Sequence, residues 1–227
     1  MSVWAGASGR PPDVFLTMKS PLADGVYMAA CDEDVVVLDT RSDLYSCLPE
    51  AAPHLAINHG WIDGPDAMIG DLSAAGFVTE GAASPRRAIP QLPSRPLSLP
   101  DRPITLGEEV AFWGAAAAAW RSGPGRRPLH ALLADAAPPR CDTPDMQKIA
   151  RLTAVFVRRL PWDPRQGACL YRAWLLRRLL RSAGQDAVWV FGVKTWPFAA
   201  HCWLQVNDVV LDDDPDRVGR YSPILAV

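Results

Sequence analysis

The last third of the sequence holds a cysteine, a histidine and a run of aspartates in the order that thiol catalysis requires. Cys169 follows the chain breakers Pro164 and Gly167 and opens a leucine-rich pattern with helical spacing, and His201 stands at the head of an apolar alternation. A thiol nucleophile needs a base to take its proton, and the base needs a carboxylate on its second ring nitrogen. Taken singly, such a cysteine is usually a core residue and such a histidine a structural one, but their order favours a catalytic site.

The position of Cys169 in the first turn of the expected helix favours its reactive form. Free backbone N–H groups and the positive end of the helix dipole stabilise a thiolate there. The other cysteines are scattered and form no CxxC pair: Cys31, Cys47, Cys141 and Cys202. This distribution indicates neither a disulfide framework nor a zinc site, and we expect no metal and no cofactor.

The carboxylate partner of His201 is one of three consecutive aspartates: Asp212, Asp213 and Asp214. The stretch PFAAHCWLQVNDVVLDDD, residues 197–214, predicts a β-hairpin with its turn at Asn207 and Asp208. With a two-residue loop, the first and third aspartates share the face of the histidine, whereas a three-residue loop with a bulge moves the middle one there. The pattern alone leaves this choice open.

Helices precede these strands in the C-terminal half. Helical patterns predict three helices within residues 105–122, 128–137 and 143–160, and a fourth that begins at Cys169 and ends at Gly184. The pattern then changes to β in DAVWVFGV, HCWLQV and VVLD. Helices followed by antiparallel strands make an α+β arrangement. Papain-like folds supply a cysteine, a histidine and a carboxylate from these element types in this order.

Six prolines between residues 84 and 103 predict an extended, semi-rigid linker, because proline lacks the backbone donor that helices and interior strands need. We therefore expect three parts: an N-terminal module over residues 1–82, a linker over residues 83–104 and a second domain over residues 105–227. In the N-terminal module, VFLTM, GVYMAA, DVVVLD and LYSCL predict short strands. Helical patterns over residues 49–58 and 64–76 follow them.

Composition excludes several classes of function. The chain of 227 residues has a net charge of -2 at pH 7, so no global field attracts it to nucleic acid or to an anionic membrane surface. No apolar run reaches the roughly 18 residues of a membrane span, and the first residues lack the charged head and apolar body of a signal peptide. We expect a globular, cytoplasmic protein that binds neither nucleic acid nor membrane.

Residues 140–227 resemble the lasso peptide biosynthesis B proteins, the transglutaminase-like leader peptidases of ribosomally made lasso peptides. The shared features are a Cys-Leu that opens a leucine-rich helix, a glycine after it, FGV, an aromatic residue before AHCW, and an aspartate twelve positions after the histidine. The resemblance implies that Cys169 is the nucleophile, His201 the base and Asp213 the orienting carboxylate. One departure is Cys202, where that family more usually has a small residue such as alanine.

The N-terminal module resembles the leader-recognition domain of the PqqD type, a winged-helix-like arrangement of three strands followed by helices. The matching pieces are VVVLD at the second strand and DLSAAGFV in the last helix. In that family a leader peptide adds as an extra strand at the sheet edge and packs against the last helix. The resemblance implies leader contacts by two strand and two helix residues: Leu44, Tyr45, Ile69 and Leu72. A place in the hydrophobic core, without any contact to a leader, would explain the type of each of these residues equally well.

Together, the resemblances imply a cysteine endopeptidase that removes the leader from a lasso precursor through an acyl-enzyme. The implied partners are the precursor peptide and an ATP-dependent, asparagine-synthetase-like macrolactam synthetase that receives the freed core. The expected oxyanion donor is the backbone N–H of Cys169, with Gln166 as the alternative. Two other functions fit the same residues: an acyltransferase or transglutaminase of the same fold, and a non-catalytic adaptor that only binds a leader.

Overall fold

The computed structural model describes residues 17–58, 60–136, 143–165 and 167–227. Their N-terminal part forms two three-stranded antiparallel sheets. The first sheet has the spatial order β1 (Thr17–Pro21), β6 (Trp61–Pro65) and β5 (Ala56–Asn58). The second has the order β2 (Val26–Cys31), β3 (Asp34–Asp39) and β4 (Leu44–Leu48). β4 therefore lies at an edge. Residues 14–16 of the first predicted strand lie outside the described residues.

The predicted strands GVYMAA, DVVVLD and LYSCL are confirmed as β2, β3 and β4, but the predicted helix over residues 49–58 is wrong. A 3₁₀ turn at Ala52–His54 and strand β5 occupy this segment. The turn contains a proline, which lacks a backbone donor. Ile57 of β5 pairs with Ile62 of β6 across a turn that contains Gly60 at φ 86°. In this segment, pairing between β5 and β6 therefore determines the structure, and the weak helical pattern of the sequence does not.

The second predicted helix of the N-terminal module is confirmed as α1 (Asp66–Ala74). Pro65 precedes its first residue, where a missing N–H has little cost, and Gly76 follows its end at φ 75°, a conformation that residues with a Cβ rarely adopt. Ile69 and Leu72 point from α1 into a buried cluster that includes residues of both N-terminal sheets. The two sheets and α1 thus share a core.

Among the described residues, the C-terminal part combines four longer helices with a five-stranded sheet. The helices are α2 (Leu106–Ser122), α3 (Leu129–Ala136), α4 (Met146–Arg159) and α5 (Cys169–Ser182). The sheet has the order β11 (Ser222–Ala226), β8 (Val188–Lys194), β9 (Ala199–Val206), β10 (Val209–Val210) and β7 (Arg95–Pro96). A short helix connects β10 to β11: α6 (Pro215–Val218). The predicted α+β arrangement is confirmed. None of the described helices is long and apolar enough to cross a membrane.

Local sequence explains where the helices that flank α5 begin. Thr105 caps α2, because its side chain accepts the N–H of Glu108 while the Glu108 carboxylate accepts the N–H of Thr105 at 2.9 Å. Asp145 caps α4 by accepting the N–H groups of Gln147 and Lys148, each at 3.0 Å. Both helices are thereby fixed at the end where the chain enters them.

α5 is the central element of the main core, and it packs against α2, α4 and β9. The ring of its Trp174 lies 5.8 Å from that of Trp189 in β8, and its Leu175 and Leu179 are fully buried. Each such leucine contributes roughly 1.5–3 kcal/mol relative to an exposed one. Val36 of β3 belongs to the same cluster, so the second N-terminal sheet packs on the C-terminal part.

The proline-rich segment contacts both parts of the chain. Arg95–Pro96 form β7, which pairs in parallel with β10 at the edge of the sheet, where a missing donor is tolerated. Nearer the N-terminal part, Arg86 donates to the carbonyl of Ala23 at 3.1 Å and lies 4.6 Å from the centre of the Tyr27 ring. The segment is therefore attached at several points. The expected division of the chain into three parts remains a prediction.

Candidate active site

Cys169 is the first residue of α5, and its side chain is partly exposed. Ala168 precedes it in an extended conformation and supplies no capping side chain. The first amides of α5 therefore have no side-chain acceptor at the cap, and their partial positive charge lies close to the sulfur. This placement, which the sequence predicts, favours a thiolate.

A buried carboxylate anchors the loop that leads to Cys169. Oδ1 of Asp163 accepts the backbone N–H of Arg165 at 2.9 Å and the indole N–H of Trp120 in α2 at 3.3 Å. Asp163 has no exposed surface, so water does not compete for these hydrogen bonds. The loop is thereby attached to α2 before it enters α5.

The imidazole of His201, on β9, is bound to Asp213. Its Nε2 atom lies 2.5 Å from Oδ2 of the carboxylate, and the two side chains are only 6% and 9% exposed. The rings of Trp203 and Tyr221 flank the imidazole, with centroids 6.2 and 5.3 Å away. Since Asp213 occupies Nε2, Nδ1 is the ring nitrogen left for the thiol.

Three groups close to the sulfur of Cys169 favour its ionised form: the His201 side chain, the Cys202 thiol and the Cys202 backbone. β10 pairs with β9 at Gln205 and Val206, which leaves the edge of β9 around Cys202 accessible to the first turn of α5. The fold therefore brings the three predicted residues, from α5, β9 and the segment after β10, to one point.

A bend in the chain, and not the pairing register of the hairpin, places Asp213 next to His201. β10 pairs with β9 in the register of a two-residue loop, in which Asn207 has φ 52°. In this register a continued hairpin would place the flanking aspartates on the face of the histidine, and the bulged loop that would bring Asp213 there is absent. The chain instead bends at residues 211–213, and this bend turns Asp213 toward the imidazole.

Each of the three consecutive aspartates has a different partner. Oδ2 of Asp212 accepts Nη2–H of Arg172 at 2.7 Å. The middle aspartate binds the imidazole. Oδ1 of Asp214 accepts the N–H of Asp216 at 2.7 Å and caps α6. The three carboxylates therefore form an ion pair, a hydrogen bond to the histidine and a helix cap, respectively.

The surroundings of Cys169 lower the pKa of its thiol from its ordinary value to about 4. The hydrogen bond from the Cys202 thiol is the largest cause, burial opposes it, and the contact with His201 lowers the pKa further. Burial raises the pKa of Cys202 well above its ordinary value, so its thiol stays protonated and remains a donor. Cys169 is therefore the ionised member of the cysteine pair.

The pKa of His201 is raised to about 9. Burial alone would lower it, but the hydrogen bonds with Asp213 and Cys169 outweigh burial. Burial would raise the pKa of Asp213, yet hydrogen bonds from His201 and from the N–H of Asp214 hold it below its ordinary value. At neutral pH the site is thus a thiolate and an imidazolium supported by a carboxylate.

The other predicted site residues are placed differently. Gln166, the alternative oxyanion donor, lies outside the described residues. Leu44 of β4 is 62% exposed and Tyr45 is half-buried. Ile69 and Leu72 are 0% and 4% exposed. Their side chains pack in the N-terminal core and offer no surface to a leader, which corrects the expectation for these two residues.

Tyr45 connects β4 to the site. Its ring lies 5.4 Å from that of Phe198, in the loop between β8 and β9. Burial, and then the nearby charges of Cys202 and Cys169, raise the pKa of Tyr45 to about 12, so the phenol is neutral. Phe198 is 52% exposed. Tyr45 and Phe198 therefore form an apolar contact near the thiolate, whereas Leu44 lies on the opposite face of β4.

Three residues near the site were given no role there from the sequence: Asp163, Arg172 and Cys202. Arg172 stands three positions after Cys169, and this helical spacing indicates that both lie on one face of α5. Cys202 is adjacent to His201, and its thiol is a departure from the resembling family that has a structural consequence. For Asp163, no local pattern distinguishes it from a surface loop residue.

Cys169, His201 and Asp213 have the residue types and the relative positions of a nucleophile, a base and an orienting carboxylate. Among the described residues, no group of three or more His, Cys, Asp or Glu side chains is arranged to hold a metal ion. A thiolate beside an imidazolium can attack a carbonyl carbon and then protonate the leaving group. Acyl transfer is therefore the chemistry that this arrangement supports.

Comparisons with known proteins agree with this chemistry. A stretch of 59 residues is 37% identical to the microcin J25-processing protein McjB of Escherichia coli, and it covers 26% of this chain and 28% of that protein. No solved structure matches the chain significantly. The family model described as the transglutaminase-like superfamily matches residues 111–226, a range that contains Cys169, His201 and Asp213. These matches confirm the family resemblance of the C-terminal part. Because the family model spans more than half of the sequence, the chain belongs to the transglutaminase-like superfamily.

Proposed function

We propose that the protein is a cysteine endopeptidase that removes the leader from a lasso peptide precursor. The main support is the geometry of the site. Cys169 stands at a helix start beside His201, which favours its thiolate, and Nε2 of that imidazole lies 2.5 Å from Asp213. A peptidase that uses a thiol nucleophile needs these three groups in this relation.

In the proposed reaction, the Cys169 thiolate attacks the carbonyl carbon of the scissile peptide bond. The N–H groups at the start of α5 stabilise the oxyanion that forms. The His201 imidazolium donates its proton to the leaving amine of the core peptide, and the leader remains bound to the sulfur as a thioester. The neutral imidazole then takes a proton from water, the hydroxyl adds to the acyl carbon, and the leader carboxylic acid leaves.

The comparison with McjB supports a leader peptide as the substrate. That protein is named for the processing of microcin J25. Because the match spans 28% of its length, its activity is extended to this chain only as part of the proposal. The acceptor of the acyl group is then water, as in hydrolysis, and the freed core would pass to an ATP-dependent macrolactam synthetase.

The edge strand β4 supports a place for the leader. A peptide added to β4 would use the free backbone groups of the sheet edge, and Tyr45 of this strand packs against Phe198 and lies close enough to Cys169 for its charge to act on the phenol. Holding the leader there would raise the effective concentration of the scissile bond at the thiolate. We assign leader recognition to residues 1–82, the linker to 83–104 and peptidase activity to 105–227. The region of residues 1–82 departs from the PqqD pattern because it contains a second sheet.

Mass spectrometry of a cleavage reaction tests this function. The purified protein is incubated with candidate precursor peptides encoded near its gene, with and without ATP and a neighbouring synthetase. Hydrolysis yields two products whose masses add up to the precursor plus one water. Cys169→Ala should abolish both products, whereas Cys47→Ser, which changes an exposed thiol, should retain them.

The same measurement separates the rival functions. A mass gain on an added amine, with loss of the leader or ammonia, would indicate an acyltransferase. Retained binding of the precursor without any change in its mass, in the presence of ATP and synthetase, would indicate an adaptor and would contradict the peptidase proposal.

A further inference from the structure

We propose that Arg172 is a positioning residue: its ion pair with Asp212 sets the bend that presents Asp213 to His201. This inference rests on the proposed peptidase function and adds a residue outside the Cys–His–Asp group. The contact joins Nη2 of the guanidinium to Oδ2 of Asp212 at 2.7 Å. The two residues are 40 positions apart in the sequence.

The hairpin register explains why the bend needs an additional contact. The N–H of Leu211 still donates to the carbonyl of Leu204 at 3.0 Å, in the register of the two-residue loop. If this pairing continued, the pleat would turn Asp213 away from the face of His201 and bring its two neighbours there. The pairing ends after Leu211, and the bend therefore turns Asp213, and not its two neighbours, toward His201.

Both neighbours of Asp213 are bound by other groups. Arg172 binds Asp212, while Asp214 caps α6 through the N–H of Asp216. The side chain of Asp212 is 15% exposed and that of Arg172 is 38% exposed, so the carboxylate is largely shielded from solvent while the guanidinium is partly accessible. Burial raises the pKa of Asp212 and Arg172 opposes this rise. Without the guanidinium, a second carboxylate would stand uncompensated beside the one that orients the imidazole.

The position of Arg172 on α5 makes the contact relevant to the nucleophile. It stands three residues after Cys169, on the same face of the helix. The ion pair therefore fastens the turn that carries the thiolate to the bend that carries Asp213. Arg217 also reaches Asp213, at 3.8 Å from Oδ1, but it is 61% exposed, so it compensates little of the charge at this bend.

Four variants test the role of the pair: Arg172→Met, Arg172→Lys, Asp212→Asn and the double variant Arg172→Met/Asp212→Asn. Arg95→Met is the matched control. Arg95 binds Asp208 in the turn of the same hairpin, also at 2.7 Å, but both side chains are exposed. Two quantities are measured for each variant: the rate of Cys169 alkylation by iodoacetamide against pH, and kcat and KM for precursor cleavage. Circular dichroism verifies that each variant is folded.

Loss of the positioning contact should change chemistry more than binding. Arg172→Met should lower kcat by about tenfold or more with KM within about twofold, and should move the lower inflection of the alkylation profile upward by about one pH unit. Arg172→Lys keeps the charge and should recover most of the activity. The double variant should exceed Arg172→Met in kcat by about threefold, because it leaves no uncompensated carboxylate.

The outcomes distinguish this inference from the proposed function. Unchanged kcat and an unchanged alkylation profile in both Arg172→Met and Asp212→Asn, as in Arg95→Met, would overturn the positioning role. A loss of thermal stability alone, with a normal profile, would also overturn it. If the wild-type protein alkylates with a low inflection but cleaves no precursor, the peptidase proposal fails, while the alkylation profiles still decide whether Arg172 positions the site.

Discussion

Tyr171, in the first turn of α5, donates a hydrogen bond of 2.7 Å from its hydroxyl to Oδ2 of Asp163. The other oxygen of this buried carboxylate accepts from Arg165 and Trp120. Burial, and then Asp163 itself, raise the pKa of the Tyr171 phenol above its ordinary value, so the hydroxyl remains a donor. The hydrogen bond closes the loop between Asp163 and Cys169 and fixes the position of Cys169 at the start of the helix.

Removal of this carboxylate should destabilise the fold. We expect Asp163→Ala to lower the free energy of unfolding by about 3 kcal/mol, because three donors lose their acceptor in a buried site. Tyr171→Phe removes one donor and should cost about 1 kcal/mol. Urea denaturation measures the free energy of unfolding of both variants. Asp101→Ala, which removes a fully exposed carboxylate, should leave the midpoint unchanged. An Asp163→Ala protein as stable as the wild type would show that the loop is held by other contacts.

Cys202 should determine the acidity of Cys169. Its thiol is the strongest of the groups that lower the pKa of Cys169. Cys202→Ala, the residue more usual in the resembling family, should therefore raise the lower inflection of iodoacetamide alkylation by about one pH unit or more. Cys202→Ser retains a donor at this position and should stay close to the wild type, as should Cys47→Ser. Equal inflections for the alanine and serine variants would exclude a role for the donor.

The helical half of the site could be predicted from the sequence, since two chain breakers before Cys169 and a leucine pattern after it define a helix start. The carboxylate could not be derived in the same way. The hairpin takes the two-residue loop, whose register alone favours Asp212 and Asp214, and a bend delivers Asp213. That bend is in contact with Arg172, on a helix 40 positions earlier, and local patterns contain no information about such a pairing.

In the N-terminal module, too, long-range packing determines features that local sequence patterns do not reveal. The short apolar runs of β2, β3 and β4, bounded by turn residues, are sufficient to predict strands, whereas residues 49–58 become a turn and a strand because β5 pairs with β6. Likewise, the helical spacing of Ile69 and Leu72 indicates one face of α1, but it does not tell whether that face meets a ligand or the core. The packing of two sheets around α1 decides for the core.

Variants of the base and its carboxylate should lose activity to different extents. His201→Ala removes the proton donor and acceptor, and should lower kcat/KM for precursor cleavage by about 10²- to 10⁴-fold. Asp213→Asn removes the charge but keeps a side chain that can orient the imidazole, as in Cys-His-Asn sites, so a smaller loss than that of His201→Ala is expected. Asp208→Asn, in the exposed turn, serves as the control. Steady-state kinetics in which Asp213→Asn equals Asp208→Asn would contradict the role of Asp213.

The pH dependence of cleavage follows from the two shifted groups. The thiolate is lost below the pKa of Cys169, about 4, and the imidazolium is lost above that of His201, about 9. kcat/KM should therefore rise through about pH 4, stay level across neutral pH and fall through about pH 9. A profile of kcat/KM against pH measures both limbs. A lower limb near the ordinary cysteine pKa of about 8.5 would show that Cys169 is not held as a thiolate.

The acyl-enzyme is the central claim of the proposed mechanism, and acid quenching during precursor cleavage tests it most directly. After proteolysis of the quenched protein, mass spectrometry locates any adduct. The mechanism predicts a gain equal to the leader minus one water on the peptide that contains Cys169, its removal by hydroxylamine, and no gain or cleavage in Cys169→Ala. An acyl adduct on another residue, or cleavage by Cys169→Ala at the wild-type rate, would contradict it.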